Sequence, residues 1–110
     1  MIQDTLDKIE AQIERAGTIT PEAKDELRQL LGTLKAEVGQ IAQTHAEQAQ
    51  TISGFAQVSA HEATREQKNP QLLKLSLEGL ATSVDGFENS HPRLVAIVNR
   101  ICMTLSNLGV

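Results

Sequence analysis

Large apolar residues recur in alternating steps of four and three along the first half of the chain, and Leu31, Leu34, Val38, Ile41, His45, Gln48, Ile52 and Phe55 fall on one line. This is the heptad spacing that lets one helix insert its side chains between those of another. A second line runs one residue over and is made of small side chains: Gly39, Ala42, Ala46, Ala49, Ser53, Ala56 and Ala60. Small residues allow a neighbouring backbone to come close, so the two lines together predict a contact face wide enough for two helices. Between Glu37 and Glu62 the only acid or base apart from the histidines is Glu47, which predicts cover on more than one side.

Taken as one helix, the stretch from Pro21 to about Gln67 would be roughly 65 Å long. A compact chain of this length has a radius of gyration of about 13 Å, so such a rod protrudes. Its apolar flank then needs sister copies, and the expectation is a coiled coil or helix-bundle oligomer, homodimer or homotetramer. The competing expectation is a break at Gly39 or Gly54, since glycine inside a helix costs ~1 kcal/mol relative to alanine.

Three further helices are marked by their punctuation. Ile2, Leu6, Ile9 and Ile13 share one face of a helix over residues 2–16, closed by Gly17. Thr20-Pro21 and Asn69-Pro70 are start signals, a capping side chain followed by a proline whose missing donor costs nothing in the first turn. Leu73, Leu77, Leu80, Val84 and Phe87 predict a helix over 70–88, widened by Leu72 and Ala81. After His91-Pro92, the residues Leu94, Val98, Ile101 and Leu105 predict a helix over 92–108, with a break or strong bend at the proline and a kinked continuous helix as the other possibility. The reading is a single all-α domain over residues 1–110, built of antiparallel helical hairpins with one long central helix.

Composition narrows the function. The chain has 110 residues, 40% of them hydrophobic, with two Phe and neither Trp nor Tyr, which suits a bundle of aliphatic residues and alanine. A net charge of −4 without any basic cluster disfavours a nucleic-acid surface. Cys102 is the sole cysteine and sits in an apolar run, as a buried inert thiol would. No signal-peptide core or membrane-spanning run is present, so the expectation is a cytoplasmic protein.

Candidate chemistry is sparse. Glu88 and His91 have the i, i+3 spacing that supplies ligands in carboxylate-bridged metal bundles, with Glu47, Glu62 or Glu66 as further ligands. Pro92 directly after His91 argues for backbone capping or mutual pairing instead. His45 and Gln48, polar at successive seam positions, fit a role in fixing register between copies. His61-Glu62 lacks the second histidine of a zinc-protease helix. Ser76 and Thr82 have no recognisable base beside them, and no glycine-rich phosphate loop is present. No cofactor is expected.

The stretch Gly86-Phe87-Glu88-Asn89-Ser90-His91-Pro92-Arg93-Leu94, followed by Asn99-Arg100-Ile101 and the tail Leu105-Ser106-Asn107-Leu108-Gly109-Val110, resembles the terminal signature of a small bacterial family catalogued only as a domain of unknown function. Ile19-Thr20-Pro21-Glu22, with Leu27 and Leu30-Leu31, is similar to that family's first capped helix, whereas residues 39–68 depart from it in length and in their Ala and Gln content. The resemblance implies a small helical bacterial protein and brings no activity with it. The functional expectation is therefore a non-enzymatic homo-oligomeric scaffold or protein-interaction module. An apolar-ligand or membrane-surface binding module is the alternative, and a metal-binding bundle on Glu88 and His91 a further one.

Overall fold

Two helices begin where their caps predict. The Ala23 N–H donates to Thr20 Oγ1 at 3.2 Å, and the Leu72 N–H donates to Asn69 Oδ1 at 3.1 Å, each with proline in the first turn. The structure is a computed structural model that describes residues 2–108. Those residues form five helices: α1 (Ile2–Arg15), α2 (Pro21–Ile41), α3 (Ala46–Thr64), α4 (Pro70–Ser83) and α5 (Pro92–Leu108).

The continuous helix expected over 21–67 is thus two helices. The chain turns over residues 42–45, where the Thr44 and His45 N–H groups both return to the Ile41 carbonyl, at 3.1 and 2.6 Å. Gly39 and Gly54 lie inside helices, so neither is the break. The physical reason lies in Gln43, Thr44, His45, Glu47 and Gln48. This run offers no large apolar side chain to hold the next helical turn against a neighbour, and the corner exposes all five to water. Folding back lets α3 bury itself in its own chain. The molecule measures 37 × 24 × 21 Å, with a radius of gyration of 12.9 Å, and has no room for a 47-residue rod.

α3 is the hub, packed against each of the other four helices, whereas α1 touches only α2 and α3, and α4 only α3 and α5. The small-residue line makes this possible, because Ala49, Ser53, Ala56 and Ala60 are all buried and let surrounding backbones approach. Ala46 is exposed at the start of α3, and Gly39 and Ala42 are partly buried. The seam is likewise consumed within the chain. Leu31, Leu34, Val38, Ile41 and Ile52 are buried in one core with Leu6, Ile9, Ile13, Leu80, Leu94, Val98, Ile101 and Leu105. His45 and Gln48 are exposed, and Phe55 is 38% exposed. The accessible surface of 6247 Å² is close to the ~6,000 Å² expected of a folded 11.9 kDa monomer, so one copy hides its core as well as a monomer of that mass ordinarily does. The grounds for expecting sister copies along that seam are therefore removed.

Polar links tie the helices together. Arg28 of α2 pairs with Glu14 of α1, and Lys35 with Asp7 at 2.6 Å. Glu62 is buried, with Oε1 3.0 Å from Arg65 Nη1. The Lys68 ammonium donates to the Leu108 carbonyl at 2.8 Å, fastening the loop after α3 to the end of α5. Ser59 is fully buried, with no hydrogen-bond partner for its hydroxyl.

The helix expected over 70–88 ends earlier, at Ser83, though Val84 and Phe87 remain buried. Gly86 explains the stop: its φ of +96° suits glycine far better than a residue with a Cβ. The Glu88 carboxylate accepts the Gly86 N–H at 2.8 Å and closes the turn. His91-Pro92 is a break and not a kink, and the Leu94 N–H makes its bond to the His91 carbonyl at 3.1 Å.

Candidate interaction surface

Glu88 and His91 are committed locally. Glu88 holds the Gly86 N–H, and His91 Nδ1 lies 3.0 Å from Ser90 Oγ. Among the described residues no group of three or more His, Cys, Asp or Glu side chains comes together as a metal site, so Glu47, Glu62 and Glu66 are not assembled with this pair. His45 is in the corner rather than on a seam. Its ring stands edge-on to Phe87, centroids 5.4 Å apart, and the His91 ring stands edge-on to the same phenyl at 5.5 Å. The two histidines therefore flank Phe87 and tie the 42–45 corner to the 84–91 turn, a structural job. His61 is exposed, with Nε2 4.0 Å from Glu62 Oε2. Ser76 Oγ donates to the Leu73 carbonyl at 2.8 Å and is buried, so no base is poised to activate it.

The surface that stands out belongs to α4. Helices α1 and α4 are both 14 residues long and both touch only two others, yet α1 carries six ionisable side chains (Asp4, Asp7, Lys8, Glu10, Glu14, Arg15) and α4 only Lys74 and Glu78. An outer helix normally presents a charged face to water, and α4 is apolar around most of its girth. Its core-facing residues are Leu73, Ser76 and Leu80. On the flank toward α3, Leu72 is 45% and Leu75 is 55% exposed, beside the half-exposed Phe55 and Val58. Phe55 packs against Gly79, where an added Cβ would sit 2.3 Å from its ring, so the contact between α3 and α4 there has no room for a side chain.

On the other flank, α4 and α5 leave an open groove of about 790 Å³, lined by the apolar Leu77, Ala81 and Met103 and by Lys74 and Glu78, both exposed. Met103, 67% exposed, is the most exposed large apolar side chain among the described residues. Lys74 and Glu78 make no ion pair with each other or with any other described residue. The order Lys then Glu along a helix is the weaker one for an internal i, i+4 pair.

Cys102 also borders the groove, its thiol 3.8 Å from the Leu77 carbonyl, and burial pushes the thiol above its ordinary pKa. At a given neutral pH, less of it is the reactive thiolate. Iodoacetamide should therefore alkylate Cys102 more slowly than a small free thiol, with its rate against pH displaced upward; a profile at or below that of the small thiol would show the side chain open to water.

In the sequence, Leu72 and Ala81 widen the apolar face of this helix, but the heptad spacing points to α2 and α3 as the contact surface. A usable signal was present: Leu72 and Leu75 stand off the Leu73, Leu77, Leu80 line, in a helix with two charges. Among the described residues no helix is long and apolar enough to cross a membrane. Residues 27–110 match the model of a family described as Domain of unknown function (DUF4404). The final two residues of the resembling tail, Gly109 and Val110, lie outside the described residues. No curated protein and no solved structure matches the chain.

Proposed function

We propose, from the premise that the chain belongs to the DUF4404 family, that it is a non-enzymatic, cytoplasmic helical module that assembles with copies of itself through α4. The supporting observation is the charge-poor outer helix with exposed leucines on one flank and an apolar groove on the other. Depletion of charge with enrichment of aromatic residues and Met is the composition of interface cores, and Phe55 and Met103 lie on the two flanks here. This surface replaces the seam on α2 and α3 as the place where copies meet. The groove also supports a second reading, an apolar ligand held between α4 and α5, because its volume lies within the range of small-molecule sites.

Light scattering over a roughly hundredfold range of protein concentration tests the assembly. The expected result is a mass that rises from one copy to two or four as concentration increases. A single-copy mass throughout would end this reading and leave the ligand reading in place.

A further inference from the structure

Resting on that assembly reading, we infer that the contact is a two-fold symmetric, antiparallel packing of the α4–α5 layer on the same layer of a second copy, with Lys74 of each chain against Glu78 of the other. Two unpaired charges, Lys74 and Glu78, line the groove one helical turn apart on the same side of α4. When a helix is laid antiparallel to its own copy, with the symmetry axis crossing at the level of Ser76, position 74 of one faces position 78 of the other. In a two-fold interface every contact occurs twice with the roles exchanged, so a single Lys/Glu couple satisfies both chains. The pair is thus complementary to itself only in the antiparallel sense, which sets the direction as well as the partner.

The same placement brings the Leu77 side chains of the two chains together near the axis and lays Ala81 and Met103 against the partner's α4–α5 layer on either side of it, covering the groove walls. It also suits the overall charge of −4, since copies that repel elsewhere approach along a helix whose two charges cancel. A foreign partner would need no such reciprocity.

The test is charge exchange in the full chain. Lys74→Glu and Glu78→Lys each place like charges opposite one another in the homodimer, and association of either variant alone should weaken by about tenfold or more. Both side chains are exposed, and an unchanged melting transition in dilute solution checks that each variant is folded. The doubly exchanged variant should recover wild-type association. An equimolar mixture of the two single variants should form the mixed dimer, because the first then presents two carboxylates at these positions and the second two ammonium groups.

Single variants that associate like the wild type, or a mixture that stays dissociated, would overturn the proposed contact while leaving self-assembly intact. A wild-type chain that is single at every concentration would overturn both.

Discussion

Ile41→Asp should leave the chain without a cooperative thermal transition. Ile41 is fully buried at the last turn of α2, its side chain in the common core and its carbonyl accepting the two N–H groups that shape the 42–45 corner. A carboxylate there has no cationic partner, and burying it costs several kcal/mol, against a total stability of ~5–15 kcal/mol for a domain of this kind. Circular dichroism during heating is the measurement. A variant that melts cooperatively and differs only in association would mean that Ile41 meets another copy rather than its own core.

The second large effect is expected at the hub. Ala56→Leu adds three carbons on the core side of the helix that packs against the other four, at a position 2% exposed. Overpacking of this sort typically costs ~1–3 kcal/mol, and α3 cannot tilt away from one neighbour without pressing on the next. The midpoint of urea unfolding should fall accordingly, and Ala60→Leu should behave in the same way. Gln57→Leu, one residue along and exposed, is the control and should leave the midpoint nearly unchanged. Equal midpoints for Ala56→Leu and the control would place the small-residue line outside the core.

These two expectations share their residues with the sequence reading but differ in what surrounds them. The helix starts at Pro21, Pro70 and Pro92 were legible because proline and its preceding residues act locally, through a fixed φ and a side chain within reach of the first turn. The stripes of α1, α2 and α5 were legible for a related reason: periodicity reports which face is buried. What covers that face is a different matter, because a copy and a later stretch of the same chain satisfy a stripe equally well. The corner at 42–45 hid behind a spacing that runs through it in register, with His45 and Gln48 standing where Val38 and Ile41 had led. Its trace in the sequence was the run of polar side chains, which carries neither glycine nor proline. At Glu88 and His91 the arrangement is local as well, since Gly86 turns the backbone so that its N–H donates to the Glu88 carboxylate. The outer surface of α4 was the least legible, because exposure depends on which helices fail to reach it.

The contacts of α3 also decide where the chain can be cut. The family match begins at Leu27, beyond the whole of α1 and the opening of α2, yet α1 supplies Leu6, Ile9 and Ile13 to the shared interior and lies against the hub beside Ser53. A fragment starting at that boundary would open an alanine-lined side of its own middle to solvent. The matched stretch therefore lacks one wall of the interior, and α1 is structural mortar rather than an appendage.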